Sequence, residues 1–278
     1  MGREQVLAKL LKNRAGALGL VLMACVLTVA VLAPWLSPHD PLQVFPGTAF
    51  QPPGTPGHIL GTDDVGRDVL SRVLHGSRLT LSIALIILAI SVVIGVPLGA
   101  LAGYYGRLDA PLSRLMEIML SLPSILVALT AALIVGTGLT AVIVGVSLFT
   151  IAVIARVTRG AVLAERETEY AQAARALGVS DLRILIRHIL PNCVGPLTVQ
   201  LSFNMAVAVL VAAALSFLGV GVKPPAPEWG VMLGRGRAFI WTAPHLTLYP
   251  GLAIFITVLA FNLVGDALRD TLDPRHRE

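Results

Sequence analysis

Six apolar runs, each close to the length that crosses a bilayer, leave this chain few folds to choose from. They cover residues 15–36, 79–102, 116–135, 139–155, 196–220 and 246–264. A hydrocarbon core about 30 Å thick takes about 20 apolar residues in helical form. The first run has 22 residues, includes Pro34-Trp35 and shows no small-residue cleavage site. It therefore reads as an uncleaved transmembrane helix and not as a signal peptide. Charged residues make up only 13% of the 278 positions, and mean hydropathy is +0.81. Soluble domains carry about 25% charged residues. The expected fold is an all-α polytopic membrane protein with six transmembrane helices. Its parts are residues 1–14, a first span at 15–36, a polar segment at 37–78, a five-span core at 79–268 and a tail at 269–278. Gly95, Gly99 and Gly103 recur every four residues in the second run, which predicts a seam where helix backbones meet closely.

The longest polar interval of the second half, residues 161–191, separates the fourth and fifth runs. Arg156, Arg159, Arg166, Arg175, Arg183 and Arg187 lie in it or just before it. Residues 162–177 contain no helix breaker, and Gly178 offers the left-handed position that ends a helix. Ser180 is placed to cap a second helix with Asp181 in its first turn, and Pro191 stops that helix. The expectation is a helical hairpin protruding from the membrane. Ala171, Ala173, Ala174 and Ala176 leave its first helix nearly bare, open to close approach by a partner. A plain linking loop would be shorter.

Basic residues orient the chain. If the N-terminus, the 103–115 loop, this hairpin and the C-terminus share one side, that side holds 15 of the 21 Lys and Arg residues. The positive-inside rule makes it the cytoplasm, with both termini inside and the hairpin facing the compartment that contains ATP.

The 37–78 segment then lies outside the cytoplasm. Pro38, Pro41, Pro46, Pro52, Pro53 and Pro56 bar regular structure from its first half. Its second half predicts an amphipathic surface helix, capped by Thr62 and ended by Gly76, with Val65, Val69 and Val73 on one stripe. Asp63, Arg67 and Asp68 form either a structural ion-pair set or a contact surface outside the membrane. Trp229 and Trp241, in the loop after the fifth run, suit a membrane interface. Ser202, Asn204 and Ser216 are the few polar side chains of the fifth run and are candidates to line a water-filled path.

Other chemistry is not encoded in the usual ways. No lysine follows a glycine, so there is no phosphate-wrapping Walker loop. His39, His58, His75, His188, His245 and His276 show no metal-ligand spacing, so no metal site and no enzyme activity are expected. The spans lack the central acidic or basic residues that proton-coupled carriers use, which disfavours a self-sufficient carrier or channel. Cys25 and Cys193 imply no disulfide framework.

The run EYAQAARALG at 169–178, followed by RHILPN at 187–192, resembles the EAA loop of bacterial ABC-importer permeases. LGTDDVGRDVLSR at 60–72, SFLGVGVKPP at 216–225 and NLVGDALRD at 262–270 resemble signatures of the dipeptide, oligopeptide and nickel branch, in its C-type permease subunit. Together these cover the chain from Leu60 onward. The family pattern has Glu directly before the paired alanines, whereas here Gln172 stands there and Glu169 lies three residues earlier. The resemblance implies a type I importer permease fold in the bacterial cytoplasmic (inner) membrane, with 161–191 as the coupling helix that enters a groove of the ATPase. It assigns coupling to Glu169, Ala173, Ala174, Gly178, Arg187 and Pro191, and contact with a binding protein to Asp63, Arg67, Asp68 and Trp229. It implies a homologous second permease subunit, two ATPase subunits and an extracytoplasmic substrate-binding protein. Membrane lipid is the surrounding medium and nucleic acid is not a partner. This chain would hold no cofactor of its own, ATP and Mg being bound by the ATPases. Short peptides are the expected cargo, with nickel or a nickel chelate as the alternative.

Overall fold

The computed structural model describes residues 13–272. Arg3, Lys9 and Lys12, expected on the cytoplasmic side, and residues 273–278 lie outside them. The first helix among these residues, α1 (Arg14–Leu36), is capped by Asn13, whose Oδ1 accepts from the Ala15 and Gly16 amides at 3.0 and 3.4 Å. A long irregular segment follows, and α2 (Val69–Tyr104) then runs for 36 residues. At 1.5 Å per residue it is about 54 Å long, far more than the hydrocarbon core requires. The separate surface helix expected before the second span is therefore the first turns of α2 itself. Gly76 does not end it. That glycine is where Pro227 and Trp229 close on the helix, and a Cβ there would meet the Trp229 ring at 2.6 Å.

The third span is also not one straight helix. The 103–115 stretch, expected as a short loop, is mostly helical, because α3 (Gly106–Ser121) begins at Gly106. It meets α4 (Ser124–Val135) at a 94° bend. Pro123 lies between them, lacks an N–H and drives Leu122 out of the helical region. Glu117 stays near this start and reaches Arg114 at 3.7 Å, as a solvated pair.

Helix α5 (Leu139–Arg166) carries the fourth span onward through Val162. The continuous helix expected over 162–177 is broken at Glu167–Thr168. Thr168 takes an extended conformation, and its Oγ1 donates to the Glu165 carbonyl at 2.6 Å. This is the local competition by which threonine ends helices. The chain restarts as α6 (Glu169–Ala176). Next come α7 (Asp181–Ile184), which widens into a π-turn over Leu185–Ile189, and then α8 (Val194–Phe217). A short helix α9 (Trp229–Gly236) and the long α10 (His245–Leu272) are the last elements among the described residues. By length and composition α1, α2, α5, α8 and α10 can each cross a membrane, and the bent pair α3–α4 makes up to six.

In lipid, helices gain little by hiding apolar surface from one another, so close backbone approach matters more. The glycine seam supplies it. Gly95, Gly99 and Gly103 pack against Ile151–Ile154, Ala155–Thr158 and Arg159–Val162 of α5. A Cβ at Gly103 would lie 2.8 Å from the Arg159 carbonyl, and one at Gly99 would overlap the Ala155 carbonyl. Gly19 of α1 meets Leu263 of α10 in the same manner, at 2.7 Å. The main core joins α2, α5, α8, α9 and α10 through Ile87, Val142, Val209, Leu215, Val231 and Ile254.

Candidate functional site

A polar assembly sits at each end of α2. At its C-terminal end the hairpin 167–191 folds on an apolar base of Tyr104, Val162, Ala174, Ile184, Leu185 and Ile189. Ala171 and Ala174 point into this base, with relative exposures of 0% and 8%, while Ala173 and Ala176 face solvent. Helix α6 ends in a Schellman turn. The Gly178 amide donates to the Arg175 carbonyl at 2.9 Å and the Val179 amide to the Ala174 carbonyl at 3.1 Å. Gly178 has φ +76°, as its position in the sequence requires, and nothing lies within 4 Å of the missing Cβ. Ser180 takes the capping position of α7 without a side-chain bond.

Polar ties hold the hairpin and the end of α5 to the neighbouring elements. The Tyr104 hydroxyl donates to Asp181 at 2.7 Å, and the Arg175 guanidinium lies 5.4 Å from the Tyr104 ring centroid. Arg166 donates to the Gly103 carbonyl at 2.9 Å. Arg159 makes a forked pair with Asp109 of α3 at 2.5 and 2.9 Å, the geometry that guanidinium and carboxylate favour. The Tyr170 hydroxyl donates to Glu165 at 2.5 Å and accepts from Asn192 at 3.0 Å. Asn192 also donates to the His188 carbonyl at 2.9 Å.

Glu169, Ala173, Gly178, Arg187 and Pro191 are exposed, and Ala174 is the assigned coupling residue that is not. The hairpin also exposes apolar residues that sequence reasoning passed over. Leu177 is 83% exposed, Leu182 58% and Ile186 57%. Their legible signal is a large apolar residue in an otherwise polar interval, beside a chain-reversing glycine. Cys193, at the foot of the hairpin, is buried, and that burial pushes its thiol up to about 11.

At the N-terminal end of α2, residues 37–68 fold into a cap over α2, α9 and the start of α10. Thr62 does not cap a helix. It donates to the Thr48 carbonyl, accepts from the Gln51 amide at 2.9 Å, and its own carbonyl meets His245 Nε2 at 3.2 Å. Asp68 is the cap of α2, its Oδ2 accepting from the Ser71 amide and hydroxyl at 2.8 and 2.7 Å. Asp63 accepts from the Val65 and Arg67 amides at 3.0 and 2.9 Å and from Arg67 Nε at 2.7 Å. Arg72 adds contacts to Asp63 at 3.5 Å and to the Pro41 and Pro225 carbonyls at 3.0 and 3.2 Å. Asp64 reaches across to Arg235 at 2.5 Å.

Asp63, Arg67 and Asp68 are thus buried within the cap, with exposures of 7%, 3% and 1%. Asp63 and Arg67 form an ion pair, while Asp68 pairs elsewhere. Trp229, expected at a membrane interface, is instead 2% exposed and donates to the Val73 carbonyl at 3.0 Å; Trp241 is the exposed one. Glu228, which sequence reasoning passed over, caps α9 through the Gly230 and Val231 amides at 3.0 and 2.9 Å. A carboxylate directly before Trp-Gly at a helix start was the available signal. The histidines, scattered in sequence, are not all scattered in space. His39, His58 and Asp68 bring one ligand atom each within 4.8 Å of one another.

The three path candidates do not share one surface. Ser202 lines a groove between α1, α2, α8 and α10 beside Leu27, Leu85, Met205 and Phe261. Asn204 is buried, accepting from Gln200 at 3.0 Å. Ser216 is buried beneath the following loop, its Oγ accepting from the Val222 amide at 3.2 Å.

Comparisons with known proteins agree with this architecture. Residues 95–278 match the family model described as "Binding-protein-dependent transport system inner membrane component". Residues 3–53 match "N-terminal TM domain of oligopeptide transport permease C". The chain is 44% identical over 267 residues to a putative peptide transport system permease protein of Brucella abortus, covering 96% of this chain and 90% of that one. It is 43% identical over 269 residues to a di/tripeptide transport system permease protein of Pseudomonas aeruginosa, covering 95% and 89%. Among solved structures, an inward-facing MetNI methionine ABC transporter superposes with a TM-score of 0.59 at 22% identity, covering 72% of this chain and 96% of that one. That last likeness is one of fold.

Proposed function

The chain belongs to the family of binding-protein-dependent transport system inner membrane components, and from that premise we propose that it is half of the translocation pathway of an ATP-driven importer of short peptides. A second, homologous permease subunit forms the other half. Two ATPase subunits dock on the hairpins, and a binding protein delivers the peptide to the cap. The basic residues of the hairpin put it in the cytoplasm, with both termini on that side.

The observation that carries this reading is the hairpin's construction. Its inner face is anchored on Ala171, Ala174, Ile184 and Ile189, and its outer face presents Leu177, Leu182 and Ile186 to solvent. A loop that merely linked two spans would have no reason to expose these residues while holding a rigid turn beneath them. Movement of the ATPases against this surface passes into the bundle through Tyr104–Asp181, which joins the hairpin to the end of α2, and through Arg166–Gly103, which joins the end of α5 to it. From there the glycine seam carries α2 and α5 as one body. Coupling of this kind requires a rigid element that both sites bias. The peptide cargo is supported by the similarity to permeases named for peptides and di/tripeptides, and by a groove whose weakly polar lining suits varied side chains.

The test is uptake of a labelled dipeptide and of nickel ion in cells with and without this gene, with recovery of an ATPase on purification of the tagged chain. Loss of peptide uptake and a co-purifying ATPase are expected. Loss of nickel uptake with peptide uptake intact would overturn the cargo assignment.

A further inference from the structure

The cap contains a chemical grouping that peptide import does not call for. Residues 37–68 are brought back on themselves so that His39, just beyond α1, and His58, in the middle of the segment, both face Asp68 at the start of α2. His58 Nδ1 lies 2.9 Å from Asp68 Oδ1, and His39 Nδ1 lies 3.9 Å from Asp68 Oδ2. The two imidazole centroids are 5.1 Å apart, and Phe45 packs edge-on against both at 5.0 Å, fixing the rings. Asp68 is oriented from behind by the Ser71 amide and hydroxyl. The His39 backbone amide is tied to the same Ser71 Oγ at 3.1 Å. His39 Nδ1 is buried and has no hydrogen-bond partner, although the rest of its ring is partly open to solvent.

We infer that His39, His58 and Asp68 bind a divalent cation of the zinc class, with a water molecule as fourth ligand. Two imidazoles and one carboxylate suit zinc, which takes nitrogen and oxygen ligands at about 2.0–2.2 Å in a tetrahedron. Such a tetrahedron holds its ligand atoms about 3.3 Å apart; His58 Nδ1 and Asp68 Oδ1 are 2.9 Å apart, and one ligand atom from each of the three residues lies within 4.8 Å of the others, so a modest inward shift of His39 brings the set to what the ion needs. Both rings coordinate through Nδ1 in the neutral form, with the proton on Nε2. His58 gives up its bond to Asp68 Oδ1, and that oxygen becomes the ligand. The Ser71 bonds stay on Oδ2 and act as the outer support that metal-binding carboxylates usually have. The partly open edge of His39 is the way in. A bound ion joins the exit of α1, the middle of the cap and the start of α2, so it serves as a clamp on the delivery face.

The experiment uses the full chain purified in detergent, with Zn²⁺ alone as the probe, titrated in competition with a chromophoric chelator of micromolar affinity. One high-affinity equivalent per chain is expected. His39→Phe keeps the ring packing against Phe45 but removes the nitrogen, and it should weaken that equivalent more than about tenfold. His39→Gln serves as a second variant, and it leaves the Ser71 tie intact because that tie uses the backbone. His58→Phe should do the same as His39→Phe. His188→Ala, at the opposite end of α2, should leave binding unchanged. Wild-type affinity in both His39 variants overturns the site, as does failure of the wild-type chain to compete with the chelator. Peptide uptake is not the readout, so this result is independent of the transport assignment.

Discussion

At the scale of single residues, two positions have consequences that geometry alone fixes. Gly178 sits at φ +76° with open space around it, so any side chain there is opposed by backbone conformation and not by a clash. Holding an L-residue in that region costs about 1–2 kcal/mol, and a β-branched one more. Gly178→Val should therefore leave the protein inserted and folded, because the spans do not depend on the turn. It should nevertheless lower ATP-driven peptide uptake at least tenfold by misdirecting α6. Full uptake by this variant, at wild-type membrane abundance, would remove the hairpin from the coupling role. Cys193 makes the opposite case, a group silenced by its surroundings. Burial raises its thiol to about 11, so little of it is the reactive thiolate at pH 7. Because the shift is upward, reactivity should stay negligible through neutral pH and appear only on unfolding. A maleimide time course in native detergent and then in denaturant checks this, with rapid native labelling the adverse result.

At the scale of elements, α2 and α5 form one unit because their facing backbones touch. Gly99→Ala places a Cβ against the Ala155 carbonyl, whereas Gly160→Ala on α5 places one in open space. Overpacking of this kind costs about 1–3 kcal/mol. We expect Gly99→Ala to lower the thermal midpoint in detergent by several degrees and Gly160→Ala to leave it unchanged or slightly raised. Equal midpoints would mean the seam is not a stability determinant. The seam was legible because four-residue glycine spacing is a local pattern, and Gly178 was legible because a left-handed helix end has its own residue preference. What escaped the sequence was set by distant contacts or by single breaks. Gly76 has the look of a helix stop, yet it is a notch for the Trp229 ring, and only the tertiary fold says so. Pro123 divides a run whose hydropathy is continuous, so apolar length alone hides a 94° bend. Thr168 breaks a stretch of good helix formers through one side-chain bond. His39 and His58 are 19 positions apart, and His58 and Asp68 another ten, so no spacing rule could have joined them. Glu228 is a different case, since its capping bonds to Gly230 and Val231 are local and a carboxylate before a helix start is a readable signal. Glu228→Ala should destabilise the chain by about 1–2 kcal/mol, read as a lower thermal midpoint that Glu228→Gln partly restores.

At the scale of the whole molecule, the two assemblies at the ends of α2 must face opposite compartments if the chain works as proposed. Fifteen of the 21 basic residues fall on the hairpin side under that arrangement, and the side with more Lys and Arg stays in the cytoplasm. The fold makes the test sharper than charge counting, because it identifies positions that are exposed and free of structural duty. Gln43 in the cap and Ala238 after α9 are exposed, and so is Ser180 in the hairpin, whose side chain makes no capping bond. None of the three changes removes a charge, so the basic asymmetry that orients the chain is preserved. With Cys25 and Cys193 replaced, single cysteines at these three positions can be probed in intact cells by a membrane-impermeant maleimide. Gln43→Cys and Ala238→Cys should label without permeabilisation, and Ser180→Cys only after it. Labelling of Ser180→Cys in intact cells, with the other two protected, would invert the molecule. The hairpin would then face a compartment without ATP, and the coupling role argued from Leu177, Leu182 and Gly178 could not stand.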